Sequence, residues 1–263
     1  MKSKLIALDI DGTILDITQG IAVPGSVREA VNEARANGVR VCLCSSRPCF
    51  FMDDALRYLD EVDALIGCSG AAIEISGEPF YRDILPPPLA RSCIEIAQKW
   101  NFAVSFGGEE QILALKEEAA DEIPEESPLF AFFGEKELYT MLDQTSVSCT
   151  YYFTRPGAPK EAVADVLSLP GATVNRASSD SFVITREGAD KGTGVLRLAG
   201  HWNIPREAIL AIGNDENDIP MYKVAGISVA VANANPEVLD YVDWIAPDVK
   251  DGGAAAAIRR YAL

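Results

Sequence analysis

Along the first third of the chain, continuous apolar runs alternate with segments in which apolar residues recur at helical spacing. The runs "KLIALDI" (4–10), "VRVCLCS" (39–45) and "VDALIGC" (62–68) are mostly apolar, as buried strands are. Between them, "SVREAVNEARANG" (26–38) and "CFFMDDALRYLD" (49–60) repeat apolar residues at helical spacing. Apolar strands separated by amphipathic helices predict a parallel sheet that is covered by helices on both faces.

The last quarter of the chain resumes the same pattern. Its apolar runs predict three strands: "AILAIG" (208–213), "GISVAVA" (226–232) and "DWIA" (243–246). Its amphipathic runs predict four helices: "GTGVLRLAGHWN" (192–203), "ENDIPMYKVA" (216–225), "NPEVLDYV" (235–242) and "AAAAIRRYA" (254–262). We therefore expect both ends of the chain to build one doubly wound parallel-sheet domain of the Rossmann type.

The middle of the chain has paired strands and fewer helices. The predicted strands are "FAVSF" (102–106), "QILALK" (111–116), "SVSCTYYFT" (146–154), "ATVNRA" (172–177) and "SFVIT" (181–185). The predicted helices are 89–100, "GEKELYTMLDQ" (134–144) and "KEAVADVLS" (160–168). This pattern is typical of an α+β unit. The predicted fold class is therefore α/β, with an inserted α/β (α+β) domain at 84–187 between two core segments, 1–83 and 188–263.

Composition narrows the possible partners. The 263 residues are 48% hydrophobic and 24% charged, as in ordinary globular proteins, and the formal net charge is −16. Such an acidic chain has no basic stripe for nucleic acid or anionic membranes. Apolar runs such as "AGISVAVANA" (225–234) are too short to span a bilayer, and the start meets acidic residues too soon for a signal peptide. We expect a cytoplasmic location, with no nucleic-acid or membrane partner and the oligomeric state open.

Four polar groups fall at the predicted carboxyl ends of the strands, where open parallel sheets bind ligands. They are Asp9 with Asp11, then Ser45–Arg47, then Lys191 at the start of a helix, and "GNDEND" (213–218). A carboxylate can attack phosphorus to form an acyl-phosphate, with Mg²⁺ offsetting the repulsion between two anions. A second carboxyl group can protonate the leaving oxygen, while hydroxyl, amide and ammonium groups hold the phosphoryl oxygens.

Four motifs in order and spacing resemble those of the haloacid dehalogenase-like (HAD) phosphatases. They are "DIDGTIL", "CSSRP", "DKGTG" and "GNDENDIPM", and the likeness is greatest to the Cof-type branch. In that branch an α/β cap lies between the second and third motifs. The resemblance implies a HAD-like core with a cap that closes over the site, an aspartyl-phosphate intermediate and Mg²⁺ as cofactor. The substrate would be a small phosphorylated metabolite, such as a sugar phosphate.

The resemblance also assigns roles to particular residues. Asp9 would be the nucleophile and Asp11 the acid and base, with the Asp11 backbone carbonyl also contacting the metal. The groups expected to hold the phosphate are Gly12, Ser45, Ser46, Arg47, Lys191 and Asn217. The groups expected to bind or support the metal are Asp9, Asp11, Asn214, Asp215 and Asp218. Two positions depart from the family pattern: Ser46 replaces a glycine, and Asn214 replaces a metal-binding aspartate. For substrate selectivity by the cap, the candidates at strand ends are Arg155, Arg176, Ser179 and Asp180.

Several alternatives remain open at this point. Ser45, Asn217 and Asp218 could act only as helix caps, and Lys191 could be a solvated surface residue. A phosphomutase or phosphotransferase would share the chemistry, and Asn214 makes a catalytically weak, phosphometabolite-binding regulatory protein conceivable. The spacing in "CTYYFTR" (149–155) matches cysteine-dependent phosphatases, but such a loop needs small residues where three aromatic residues stand. We therefore interpret it as a strand.

Overall fold

The computed structural model of the chain describes residues 2–115, 128–154, 158–178 and 180–263. The chain divides into two compact units. The core unit comprises the chain up to Tyr81 together with Asp190–Leu263, and the second unit comprises Arg82–Ala189. The ends of the second unit each lie two residues from the expected insertion at 84–187. Of the predicted strands, "QILALK" extends one residue beyond the described range.

The strands of both units are named in chain order. They are β1 Leu5–Leu8, β2 Arg40–Cys44, β3 Ala64–Gly67, β4 Ala72–Ile75, β5 Glu78–Arg82, β6 Ala103–Gly107, β7 Ile112–Leu115, β8 Phe130–Phe133, β9 Cys149–Phe153, β10 Ala172–Arg176, β11 Ser181–Arg186, β12 Ile209–Gly213, β13 Ile227–Val231 and β14 Trp244–Ala246. The α-helices are α1 Gly25–Ala36, α2 Asp53–Leu56, α3 Pro87–Trp100, α4 Glu135–Gln144, α5 Lys160–Leu167, α6 Lys191–His201, α7 Ile219–Val224 and α8 Gly253–Tyr261. In the described part of the chain, no helix is long and apolar enough to span a membrane.

The core unit contains a sheet with the strand order β14–β13–β12–β1–β2–β3–β4–β5. Neighbouring strands from β14 to β3 are parallel, whereas β4 pairs antiparallel with β3. In the register of the central strands, Leu8 lies beside Ile212 of β12 and Leu43 of β2. The carboxyl ends of these three strands therefore meet at one edge of the sheet, which is where the candidate residues follow them.

Helices cover both faces of this sheet because the side chains of β1 alternate between two hydrophobic clusters. Ile6 and Leu8 are fully buried with residues of α1 and α8, whereas Leu5 and Ala7 are fully buried with residues of α6 and α7. Strands that are apolar on both faces require this arrangement. The core is therefore doubly wound, as the sequence pattern predicts.

The second unit has a sheet with the order β10–β11–β9–β6–β7–β8. Its described pairings are antiparallel except for the parallel pair of β7 and β8. Side chains of one sheet face, such as Phe106, Tyr152 and Phe182, pack in a buried cluster with residues of α3, α4 and α5. The paired strands predicted from the sequence thus form an α+β unit, and the segment "CTYYF" is indeed a strand.

Two predicted helices differ from the structure, and three of its strands, β4, β5 and β8, were not predicted. The helix expected at 49–60 is a 3₁₀ turn at Cys49–Phe51 followed by the short α2. The helix expected at 235–242 is entirely 3₁₀, over Pro236–Tyr241. Between β4 and β5, Ser76 and Gly77 both have positive φ, as the type I′ turn of a two-residue hairpin requires.

Candidate active site

The centre of the site is a buried trio of Asp9, Lys191 and Asp218. Asp9 directly follows β1, and Lys191 is the first residue of α6. The Lys191 ammonium donates to Asp9 Oδ1 at 2.7 Å and to Asp218 Oδ1 at 2.6 Å. The Lys191 side chain is fully buried, so it is not the solvated surface lysine that the sequence left open. The trio holds two carboxylates and one ammonium in the interior.

The charges of the trio shift the pKa values of its members. Burial raises the pKa of Asp9 to about 7; the Asp218 carboxylate adds to this rise, and the Lys191 ammonium opposes it. Burial would lower the pKa of Lys191, but the carboxylates of Asp218 and Asp9 outweigh burial and raise it. One ammonium does not neutralise two carboxylates, so ionising both leaves a net negative charge that a cation would stabilise.

The other oxygen of Asp9 faces Thr13 and Asn214, and the Asn214 amide also lies beside the backbone carbonyl of Asp11. The Thr13 hydroxyl, which is buried, donates to Asp9 Oδ2 at 2.9 Å. When the Asn214 amide nitrogen points into the site, it donates to Asp9 Oδ2 at 3.1 Å and to the Asp11 carbonyl at 2.9 Å. When the amide oxygen points there instead, it accepts from the Thr13 hydroxyl at 3.1 Å and faces the Asp11 carbonyl and Asp9 Oδ2, and a cation between these oxygens would stabilise them.

This arrangement fits Mg²⁺. Mg²⁺ binds oxygen ligands at 2.0–2.1 Å in an octahedron, in which neighbouring oxygens are roughly 2.9 Å apart. The Asn214 amide terminus has about this separation from the Asp9 and Asp11 oxygens, at 3.1 and 2.9 Å. The donor set contains one carboxylate, one carbonyl and one amide. Accordingly, no group of three or more His, Cys, Asp or Glu side chains with metal-ligating geometry occurs in the residues that the structure describes.

Asp218 and Asp215 hold the loop after β12. The second oxygen of the fully buried Asp218 accepts the backbone N–H groups of Asn214 and Asp215 at 2.7 and 3.1 Å. Asp215 Oδ1 accepts from the backbone N–H of Glu216 at 2.8 Å and from Asn235 Nδ2 at 3.1 Å. The described bonds of Asp218 thus occupy both of its oxygens, and they fix Asn214 beside Asp9.

The loop after β2 supplies hydroxyl groups. Ser45 is buried, and its Oγ accepts the backbone N–H of Arg47 at 3.2 Å, which stabilises the turn; the helical turn that follows is capped by Pro48, so Ser45 is not its helix cap. Ser46 Oγ lies 2.9 Å from Ser69 Oγ and accepts from Asn217 Nδ2 at 2.9 Å. Ser46, which replaces a family glycine, therefore ties the second motif to the fourth.

Gly12 lies in the turn after Asp11 with φ +76°. A Cβ at this position would be 2.3 Å from the Asn214 amide nitrogen, so only glycine allows Asn214 its place. The Gly12 N–H donates to the Leu15 carbonyl at 2.7 Å, and the Gly12 carbonyl accepts from Asn233 Nδ2 at 2.7 Å. The structure thus gives Gly12 a role in shaping the turn.

Arg47 lies against Asp11. Its Nε and Nη2 donate to the two Asp11 carboxylate oxygens at 2.8 and 2.5 Å. Its Nη1 donates to Asp54 Oδ1 at 2.7 Å. The sequence led us to expect Arg47 among the phosphate-binding residues. In the structure, its guanidinium forms ion pairs with the carboxylates of Asp11 and Asp54.

The proposed selectivity residues belong to the second unit. Arg176 ends β10, and its Nε donates to the Ser178 carbonyl at 3.4 Å. The Asp180 carbonyl accepts from the Thr154 backbone N–H at 2.8 Å. Arg155 and Ser179 lie outside the described residues.

Sequence reasoning assigned no role to three residues that the structure places at or beside the site. These are Thr13, Asp54 and Ser69. Thr13 follows the two aspartates in "DIDGT", so its position alone could have suggested it. Asp54 and Ser69 stand outside the four motifs, and no local pattern distinguishes them.

Comparison with known proteins shows the family and the fold of the chain. The family described as haloacid dehalogenase-like hydrolase matches residues 6–258. The phosphoglycolate phosphatase of Methanoculleus marisnigri is 27% identical and covers 98% of this chain and 96% of its own length. Among solved structures, the HAD subclass IIB sugar phosphatase BT4131 has a TM-score of 0.85, with 21% identity, over 98% of this chain and 99% of its own.

A haloacid dehalogenase-like hydrolase from B. subtilis superposes with a TM-score of 0.86 at 20% identity, covering 97% of this chain and 99% of its own. These similarities confirm the predicted fold class, a doubly wound core with an α/β cap. The match of the family over nearly the full length confirms the predicted hydrolase class as well. The chain belongs to the haloacid dehalogenase-like hydrolase family.

Proposed function

We propose that this hydrolase is a Mg²⁺-dependent phosphatase that cleaves small phosphorylated metabolites, such as sugar phosphates, through an aspartyl-phosphate. The observation that carries the proposal is the Asp9 carboxylate at the end of β1, oriented by Lys191 at 2.7 Å and Thr13 at 2.9 Å. A fixed, desolvated carboxylate beside a buried ammonium is suited to attack a phosphoryl group. The names of the phosphoglycolate and sugar phosphatases support the substrate class.

The proposed reaction has two steps. In the first, an Asp9 oxygen attacks phosphorus, the bond from phosphorus to the ester oxygen breaks, and that oxygen takes the proton of the Asp11 carboxyl group. In the second, the Asp11 carboxylate takes a proton from water, the water oxygen attacks phosphorus, and the bond to Asp9 breaks. The products are the alcohol and inorganic phosphate, and both aspartates return to their starting states.

The remaining residues of the site would bind and orient the phosphoryl group and the metal ion. We assign the phosphoryl oxygens to Lys191, the hydroxyls of Ser45 and Ser46, the Asn217 amide and the turn at Gly12. Asp9 Oδ2, the Asp11 carbonyl and the Asn214 amide oxygen would hold Mg²⁺, which when bound offsets the repulsion between the carboxylate and the phosphate. Asp215 and Asp218 would support this shell by holding its loop; the bonds that support this role are those from the backbone N–H of Asn214 to Asp218 and from the backbone N–H of Glu216 to Asp215.

The test is release of inorganic phosphate from p-nitrophenyl phosphate and a panel of phosphorylated metabolites, with Mg²⁺ and with a chelator. We expect Asp9→Asn to reduce turnover at least about 10³-fold, or about 4 kcal/mol of barrier, whereas exposed Asp240→Asn leaves it unchanged. Asp11→Asn should slow turnover and let phosphorylated Asp9 accumulate, which intact-protein mass spectrometry would detect.

Near wild-type turnover of Asp9→Asn would overturn the mechanism. Transfer of the phosphoryl group to a second metabolite, without steady release of phosphate, would indicate a phosphomutase or phosphotransferase. Binding of phosphorylated metabolites without turnover would indicate a regulatory protein.

A further inference from the structure

The Arg47 guanidinium is committed to groups of the protein itself. Its Nε and Nη2 grip both oxygens of Asp11 at 2.8 and 2.5 Å, which is the two-pronged geometry of a strong arginine–carboxylate pair. Its Nη1 donates to Asp54 Oδ1 at 2.7 Å and to the Phe51 carbonyl at 3.2 Å. Arginine has five N–H donors, so these bonds use four of them. Little capacity remains for a phosphate.

The exposed fractions of the side chains indicate that Arg47 is held in place and that Asp11 is the more mobile partner of this ion pair. The Arg47 side chain is 14% exposed, whereas those of Asp54 and Asp11 are 33% and 52% exposed. Asp54 and Phe51 belong to the segment that includes α2, and they hold the guanidinium without help from Asp11. The Arg47 guanidinium is therefore held in place, and it positions the exposed Asp11 carboxylate.

We propose that Arg47 is a positioning residue for Asp11 and that Asp54 is its anchor. This inference rests on the proposed function, because it concerns the acid and base of that reaction. The planar fork of Arg47 sets both the position and the plane of the Asp11 carboxylate, which a single hydrogen bond would not do. Asp54 binds Nη1, on the other side of the guanidinium, so that the orientation of Arg47 stays fixed while Asp11 exchanges protons.

The decisive comparison is Asp54→Asn against Asp53→Asn. The two acids are neighbours at the start of α2, and both changes remove one negative charge, but in the described structure only Asp54 bonds to Arg47. For Asp54→Asn we expect kcat to fall about tenfold or more, because charge-assisted bonds are the strong ones, while KM and competitive inhibition by inorganic phosphate change less than about twofold. Asp53→Asn should match the wild type in all three.

Two further variants connect the effect to Asp11. Arg47→Lys keeps the charge but loses the fork, and we expect a larger fall in kcat than for Asp54→Asn, again with unchanged phosphate inhibition. In both variants phosphorylated Asp9 should accumulate, as in Asp11→Asn. In an Asp11→Asn background, Asp54→Asn should have no additional effect on kcat. Circular dichroism and melting curves establish that each variant is folded.

Weaker inhibition by phosphate with an unchanged kcat would show that Arg47 binds phosphate, and it would overturn the inference. Identical kinetics of Asp54→Asn and Asp53→Asn, or additive effects of Asp54→Asn and Asp11→Asn, would do the same. A different result, turnover that persists in Asp9→Asn, would contradict the proposed function. An enzyme that needs Asp9 but is indifferent to Asp54 therefore contradicts only this inference.

Discussion

At the scale of single residues, the buried trio of Asp9, Lys191 and Asp218 makes the stability of the protein depend on pH. The folded-state pKa of Asp9 is about 7, against an ordinary value of 3.8. Between these two values the folded state binds more protons than the unfolded state. Stability contributed by protonated Asp9 is therefore full below about pH 4 and is lost as the pH rises toward 7.

We predict that the metal-free wild type loses thermal stability from pH 5 to pH 8, by several degrees in Tm, relative to Asp9→Asn. Each unit of pKa shift corresponds to about 1.4 kcal/mol, and Asn at this position cannot ionise. The measurement is a series of melting curves in a chelator for both proteins. Subtracting one series from the other removes the contributions of the groups that titrate alike in both. Parallel curves would mean that Asp9 is ionised throughout this range.

We predict that Asn214 governs the affinity of the proposed site for Mg²⁺. Its amide lies 3.1 Å from Asp9 Oδ2, so Asn214→Asp places a second carboxylate against the first. We expect the metal-free variant to melt at a lower temperature, because like charges repel, and to bind Mg²⁺ at least about tenfold more tightly. Mg²⁺ titrations by calorimetry and by activity measure this, with Asn37→Asp on the surface as the control. Unchanged binding would remove Asn214 from the metal shell.

At the scale of elements, the apolar pattern predicted the central strands well because both of their faces are buried. The run 4–10 contains β1, and the run 208–213 contains β12. The predicted helix at 49–60 was too long, since Met52 has φ −103° and separates a 3₁₀ turn from α2. The exposed and partly exposed residues of β5 gave no clear alternation.

The order of the motifs likewise predicted which loops share one sheet edge, but not the bonds between them. Arg47 and Asp11 are 36 positions apart, and Lys191 and Asp9 are 182 positions apart. The expected role of Arg47 at the phosphate stays a prediction, and nothing in the sequence indicated its bonds to Asp11 and Asp54. Which way a side chain turns depends on neighbours that the sequence does not bring together.

The packing of α6 against the turn at Gly70 provides a prediction at this scale. Gly70 has φ +93°, and a Cβ there would be 1.9 Å from the Asp190 carbonyl, directly before Lys191. Gly77 has φ +81° but nothing within 4 Å, so it is a matched control. We expect Gly77→Ala to cost about 1–2 kcal/mol of stability with normal activity. Gly70→Ala should cost more and also lower kcat, because the start of α6 must move.

Urea denaturation and steady-state kinetics of the two variants measure these effects. Equal losses of stability with equal activity would show that the start of α6 accommodates the added methyl group without moving Lys191.

At the scale of the whole molecule, we assign by proposal the reaction to one unit and the choice of substrate to the other. The residues proposed for chemistry belong to the core unit, and the residues proposed for selectivity belong to the second unit, Arg82–Ala189. We predict that replacing this unit by that of a relative changes the rank order of substrates but leaves the dependence on Mg²⁺ intact. Kinetics on a panel of phosphorylated metabolites would test this. An unchanged rank order would place selectivity in the core.

The central position of β1 also governs the order in which a newly synthesised chain folds. One edge of β1 pairs with β12, where Leu5 meets Ile209, and the helices α6 and α7 that cover Leu5 come equally late. At about 5–20 residues per second, the ribosome needs roughly 10–40 s to make the intervening chain. The segment Arg82–Ala189 leaves the ribosome complete in that interval. Until then β1, which precedes the proposed nucleophile Asp9, has one unpaired edge and one uncovered apolar face, and we expect chaperones to bind it in this state.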